Sequence, residues 1–150
     1  MIIQALKVVL EEAELAAKVR DGLSAVNQLK DVTFGLAPGV VELAGKFQVG
    51  FSIPFATQWS VEVLPSGNKL GVRLAHVSVG FFGMSAETVS AQVMGALAQK
   101  LTGVAGVVVE SDMILIEPAL LLSEKGIRLE APIKRVAVLQ GRVEIEIGDK

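Results

Sequence analysis

The chain has a single histidine, His76, and it is the first residue to test for chemistry because Ser78 and Ser85 follow it closely. An imidazole can serve as the base for a serine nucleophile. However, no Gly-x-Ser-x-Gly elbow is present. His76 also lies where the apolar parity of a predicted strand changes. We therefore predict a surface or bulge histidine, and a protein that is not an enzyme.

Two carboxylates, Glu110 and Asp112, have the spacing that places them on one face of a predicted strand. Paired carboxylates can hydrolyse glycosides, but alternating acids are also typical of a solvated strand face, which is what we expect here. With one histidine and no cysteine, zinc would be left with carboxylate ligands. The turn from Gly103 to Gly106 follows a predicted helix, so it cannot direct helix N–H groups at a phosphate. We predict neither a metal nor a cofactor.

Charge is spread evenly along the chain and offers no basic patch. The first 75 residues carry 7 basic and 7 acidic groups, and the last 75 carry 7 and 9, for a net charge of −2. Nucleic acid is therefore not expected as a partner. No run of 18 apolar residues occurs, so no transmembrane segment is predicted. The first residues, 1–7, lack the basic region of a signal peptide. We expect a cytoplasmic protein, or an extracytoplasmic or membrane-associated one if an export segment was removed.

The elements that would position any site begin with residues 41–63, which alternate apolar and polar side chains. Period two over this length predicts β structure with one dry face and one wet face. A straight strand of this length would span about 75 Å at ~3.3 Å per residue. We therefore expect it to bend or to fold into a hairpin at Gly45, Gly50 or Pro54.

The remaining pattern predicts two helices and further strands. Acidic residues at the start and basic residues near the end match the helix dipole, and this pattern indicates a helix over 11–21 that stops at Gly22. Ser85 is a predicted N-cap for a helix over 86–101. A hairpin loop is expected at 65–68, and a bulge near Ala75–His76. The other predicted segments are a strand or helix start at 2–9, a strand at 31–36, a turn at 37–39, and strands at 107–117, 126–131, 134–139 and 142–147.

Together these elements predict a single α+β domain over residues 1–150. It would have a long, strongly twisted antiparallel sheet wrapped around helix 86–101, with two main helices and about seven strands. Apolar residues make up 51% of the chain before glycine is counted, whereas soluble domains reach about 45–50% with glycine included. This surplus has three possible destinations: a lipid-filled groove, a subunit interface, or valine-rich strands.

The order of elements resembles the LmeA-like phospholipid-binding family of bacteria. The resemblance rests on the segment 8–15, on 67–72 with 77–84, and on the closing segment 126–145. The YpmS-like family of membrane-associated bacterial proteins shows a similar order. Both families belong to the tubular lipid-binding superfamily. The resemblance implies a bent sheet around a helix with an apolar tunnel, and no cofactor.

Two functions are therefore predicted, and they are compatible with each other. The first is binding of a lipid or other elongated apolar small molecule between the curved sheet and helix 86–101. The second is a homodimer formed through surplus apolar surface, with Phe82 at the interface, because adjacent Phe81 and Phe82 point to opposite faces of a strand. The residues predicted to line the ligand cavity are Phe47, Phe51, Phe55, Trp59, Phe81, Val89 and Val93.

Overall fold

A computed structural model describes residues 2–3, 5–24, 29–48, 50, 52–79, 85–101, 103–110, 113–129 and 131–148. Within these residues there are three helices and eleven strands. The helices are α1 (Glu12–Ser24), α2 (Ala86–Leu101) and α3 (Pro118–Ser123). The strands are β1 (Ile2–Ile3), β2 (Leu6–Glu11), β3 (Leu29–Ala37), β4 (Val40–Gln48), β5 (Ser52–Val63), β6 (Leu70–Val79), β7 (Val107–Val109), β8 (Met113–Ile116), β9 (Arg128–Leu129), β10 (Ile133–Leu139) and β11 (Arg142–Ile147).

The largest sheet has six strands in the order β3-β4-β5-β6-β8-β7, and every neighbouring pair is antiparallel. The predicted α+β fold with mainly antiparallel strands is therefore confirmed. The long alternating segment forms the hairpin β4–β5, with Phe47 opposite Ile53 and Leu43 opposite Thr57. Gly50, between the two strands, has a φ of 91°. Glycine adopts this left-handed conformation without the steric cost that a Cβ would add.

The dry face of this hairpin is the face that period two predicts. Odd-numbered side chains such as Leu43, Phe47 and Ile53 are buried, whereas the even-numbered Lys46 and Gln58 are exposed. Directly opposite residues point to the same face, so the pairing of odd with odd keeps both strands in phase. Burial of each large apolar side chain stabilises the fold by roughly 1.5–3 kcal/mol.

Strand β6 carries the predicted bulge. Gln58 pairs with His76 and Trp59 pairs with Leu74, so Ala75 has no partner on β5. Because of this extra residue, the inward-facing positions of β6 change from even-numbered, as at Leu74, to odd-numbered, as at Val77. Helix α2 then begins and ends as predicted. The Ser85 hydroxyl accepts a hydrogen bond from the Thr88 backbone N–H at 3.1 Å, which caps the helix.

A second sheet has three antiparallel strands in the order β10-β11-β2. It closes over one end of the large sheet, where Gly39 N donates to Val138 O at 2.8 Å and Gly141 N donates to Leu36 O at 3.3 Å. The Glu12 carboxylate at the start of α1 also accepts a hydrogen bond from Leu36 N at 2.6 Å. A short parallel pair, β1 with β9, completes the strands of the described residues.

Four sequence predictions need correction. Residues 107–117 are two antiparallel strands, β7 and β8, instead of one strand. Glu110 lies outside both strands, so it is not on the strand face that it was predicted to share with Asp112, which itself lies outside the described residues. Helix α1 continues through Gly22 to Ser24. Helix α3 was not predicted, so the described residues hold three helices and eleven strands against the expected two and about seven.

The described part of the chain contains no helix with the length and apolarity needed to cross a membrane.

Candidate functional site

The apolar face of the six-stranded sheet is covered by two helices that lie over different strands. Helix α1 packs on β3, whereas α2 packs on β6 and β7, and the two helices contact each other only over a short stretch. The middle strands β4 and β5 carry the largest side chains of the sheet. These side chains fill the space between the helices.

This interior brings together the described residues that were predicted to line a cavity. Phe47, Phe55 and Trp59 of the sheet share one cluster with Val89 and Val93 of α2. All five are buried, with exposures of 2, 5, 3, 0 and 2%. The rings of Phe47 and Phe55 stack, with centroids 4.7 Å apart. The cluster, called the aromatic interior below, is therefore filled by its own side chains.

Three further predicted residues cannot be placed. Phe51, Phe81 and Phe82 lie outside the described residues. Two described pairs lie at one end of the sheet: Phe47 is opposite Ile53, and Phe55 is opposite Val79. The aromatic interior thus begins at that end of the sheet.

The opposite end of the same face is closed by the second sheet. Leu36, Val138 and Val143 form a separate buried cluster there. Helix α1 serves both clusters, because Leu15 packs against this second one and Val19 packs against the aromatic interior. The sequence interpretation relied on helix 86–101 to cover the apolar face. Helix α1 and the second sheet provide the remaining cover.

Thr57 is the polar side chain buried within the aromatic interior. It is 1% exposed, and its hydroxyl donates to Leu43 O at 2.7 Å and accepts from Trp59 Nε1 at 2.8 Å. Every buried side-chain nitrogen or oxygen of the described residues has a partner. The described part of the interior therefore holds no unpaired buried polar side chain that could orient a reacting atom. What it can do chemically is bind apolar matter by dispersion and dehydration.

His76 is exposed on the outer face of β6, at the bulge, as predicted. It borders a depression of about 90 Å³ that Ser78, Gln58 and Glu42 also line. Small-molecule sites usually enclose about 300–1,000 Å³. Across the described residues, no group of three or more His, Cys, Asp or Glu side chains is arranged to hold a metal ion. The prediction that the protein is not an enzyme stays a prediction.

A larger cavity of about 340 Å³ lies where the β5–β6 loop, α3 and the segment before β10 meet. Sequence reasoning did not find it, because its walls come from separated parts of the chain. None of its lining residues belongs to either apolar cluster. They are Asn68, Glu117, Ala119, Leu129, Ala131, Pro132 and Ile133.

Among the described residues, exposed large apolar side chains lie in two places: on β2, at Leu6 and Val9, and near the β7 edge of the six-stranded sheet. Val108 on β7 is 57% exposed, and Val104 and Leu120 are 40% and 46% exposed. Strand β7 is the last strand of its sheet. An apolar edge strand is a template for pairing with another chain.

No family model, curated protein or solved structure matches this chain. The resemblance to the LmeA-like and YpmS-like families stays a prediction.

Proposed function

We propose that the protein binds a lipid or another elongated apolar molecule, without catalysing a reaction, between the six-stranded sheet and helices α1 and α2. The observation that supports this most is the division of the helical cover. Each helix lies over one flank of the sheet, and the middle is occupied by Phe47, Phe55 and Trp59. The ligand would lie along this aromatic row.

Binding at this place requires the two helices to move apart. Their mutual contact is short, so separating them breaks few direct contacts between α1 and α2. An acyl chain would replace the apolar contacts that the helices give up, because dispersion does not depend on direction. Among the described residues, the buried hydroxyl nearby is that of Thr57, which is already paired on both sides. Opening the interior therefore leaves the Thr57 and Trp59 bonds intact, provided that the start of α1 keeps the bond from Leu36 N to Glu12.

The first test looks for a ligand that the protein already carries. Protein purified without detergent is extracted with organic solvent, and the extract is analysed by mass spectrometry. Acyl-chain species are the expected result. In parallel, a dansyl-labelled fatty acid should gain fluorescence when the protein is added. A clean extract together with an unresponsive probe would rule the proposal out.

A matched pair of substitutions then locates the site. Val93 lies in the aromatic interior and Val143 in the second cluster, at 2% and 7% exposure. Val93→Leu fills part of the space a ligand would use and should weaken probe binding several-fold. Val143→Leu adds the same atoms elsewhere and should leave binding unchanged. Circular dichroism checks that both variants are folded. Equal effects of the two changes would argue against this location.

A second candidate function is homodimer formation, and the exposed side chains around β7 favour it. Antiparallel pairing of two β7 strands about a two-fold axis would cover Val104, Val108 and Leu120, which are 40–57% exposed. The chain has a mass of 15.8 kDa, so light scattering should give twice this mass. Val108→Lys should shift the protein to monomer, whereas Val9→Lys, at an exposed position on β2, should not. A monomer at every concentration tested would eliminate this function.

A further inference from the structure

The cavity beside α3 is built from segments that backbone hydrogen bonds hold together. Ile133 N donates to Gly67 O at 2.7 Å, which ties the β5–β6 loop to the start of β10. Gly148 N donates to Pro132 O at 3.0 Å, and Glu117 N donates to Gly106 O at 2.7 Å. These bonds span residues far apart in sequence. These hydrogen bonds therefore join segments that form the walls of the cavity.

Its walls are mainly apolar, with two polar side chains. Leu129, Ala131 and Ile133 supply apolar surface, and Asn68 and Glu117 supply a carboxamide and a carboxylate. The volume of about 340 Å³ lies within the usual range for small-molecule sites, about 300–1,000 Å³. A few polar groups on an apolar lining are also typical of such sites.

The Glu117 carboxylate has no hydrogen bond or ion pair among the residues that the structure describes. It occupies the N-cap position of α3, but its side chain makes no capping hydrogen bond. Its role in the fold is carried by the backbone, since Leu120 N donates to Glu117 O at 3.1 Å. No ion pair involves it within the part of the chain that the structure describes. Glu117 is thus a half-buried acidic residue on the wall of the cavity.

We propose that this cavity binds a small organic ammonium ion with a short apolar body. The ammonium group would donate hydrogen bonds to the Glu117 carboxylate and to the carbonyl oxygen of Asn68. The apolar body would lie against Leu129, Ala131 and Ile133. A charge-assisted hydrogen bond at a partly dehydrated carboxylate favours a cation over a neutral or anionic molecule of the same size. The site is separate from the aromatic interior, so the proposal of an ammonium site does not depend on whether the protein binds lipid.

The probe for this site is hexylammonium, compared with 1-hexanol and hexanoate as molecules of equal chain length. Amide chemical shifts of the ¹⁵N-labelled protein report the binding. Hexylammonium should shift the amides of Asn68, Leu129, Ala131 and Ile133 in a saturable way. Hexanol should bind more weakly, and hexanoate more weakly still because Glu117 repels it.

Substitutions separate this site from general attraction of a cation to the surface. Glu117→Gln should weaken hexylammonium binding about tenfold and leave hexanol binding unchanged. Glu124→Gln removes an exposed charge just after α3 and should have no effect. Ala119→Leu fills the cavity and should weaken binding of both molecules, which keeps a test available if Glu117→Gln fails to fold.

The proposal is overturned by any of three results. One is the absence of saturable shifts at the four lining amides. Another is an equal loss of affinity in Glu117→Gln and Glu124→Gln. The third is hexanoate binding as strongly as hexylammonium.

Discussion

Trp59 donates its indole N–H to the hydroxyl of Thr57, at 2.8 Å, inside an interior that is otherwise apolar. The same hydroxyl donates to the carbonyl oxygen of Leu43 on the neighbouring strand, at 2.7 Å. One threonine thus satisfies the polar end of a buried indole and joins β4 to β5. The orientation of the Trp59 ring in the aromatic interior depends on this pair of bonds.

Thr57→Val should lower the free energy of unfolding by about 1–3 kcal/mol, because the buried Trp59 Nε1–H loses its acceptor. Thr57→Ser keeps the hydroxyl and should cost less. Urea unfolding followed by tryptophan fluorescence measures both changes. Thr33 lies on β3 with an exposed side chain, so Thr33→Val is the control and should stay within about 0.5 kcal/mol. An equally small effect at Thr57 would contradict the assigned hydrogen bonds.

Gly45→Ala should destabilise the protein by about 1–3 kcal/mol through overpacking. A Cβ at Gly45 would lie 3.1 Å from Lys30 O and 3.3 Å from the ring of Phe55. Phe55 is buried and stacked on Phe47, so its ring has no room to move away. The matched control is Gly35→Ala on β3, where a Cβ would meet just Glu12 Oε1 at 3.8 Å. Thermal unfolding compares the two, and equal midpoints would refute the close packing around Gly45.

Gly95→Ala should have the opposite effect and stabilise the protein by about 0.5–1 kcal/mol. Gly95 lies within α2, and a Cβ there would meet no atom within 4 Å. Alanine removes backbone freedom from the unfolded chain without a new contact in the folded one. A rise in the midpoint of thermal unfolding is expected. A fall would mean that this side of α2 is covered in solution, for example by a second copy of the chain.

The carboxyl group of Glu144 should titrate below its ordinary pKa of 4.5. A hydrogen bond from Arg142, at 2.8 Å, is the main cause of this lowered pKa, and the charge of Lys7, at 3.4 Å, contributes. A lowered folded-state pKa stabilises the folded state above pH 4.5, and this stabilisation is lost as the pH falls through the folded-state pKa.

Carboxyl ¹³C shifts across a pH titration measure this directly. Arg142→Gln should move the pKa of Glu144 upward, toward 4.5. Arg135→Gln removes the partner of Glu146, bonded at 2.7 Å, and should leave Glu144 unchanged. The unfolding free energy of Glu144→Gln should match that of the unmodified protein at acidic pH and fall behind it at neutral pH. An unchanged titration in Arg142→Gln would exclude the arginine as the cause.

Local patterns predicted much of the large sheet. Alternation set the inward face of β4 and β5, and the change of parity after Leu74 located the bulge at Ala75. These features depend on which side of a strand each residue faces, which is a local property. Helix α3 had one local signal that was overlooked, namely Pro118 at its first position before three leucines. The sequence gives a weaker signal that 107–117 is two strands, because apolar residues occur on both sides of the break.

The candidate sites were less predictable. The aromatic residues Phe47, Phe55 and Trp59 were expected to share one space with Val89 and Val93, and they do. Whether such a space is filled depends on side chains from other elements, such as Leu23 of α1. The periodicity of a strand carries no information on the volume that those side chains occupy. The cavity at Glu117 required loops whose approach is set by tertiary hydrogen bonds, such as that from Ile133 to Gly67.

The pairing of β2 with β11 has a consequence for how the chain folds during synthesis. Residues 6–11 are made more than a hundred residues before their antiparallel partners, residues 142–147. Strands β3, β4 and β5 instead each pair with the next strand in sequence, and such local pairing is fast. The meander can therefore form while translation continues. Strand β2 can pair with β11 only after residue 147 has been made, so the second sheet is completed after the meander has formed.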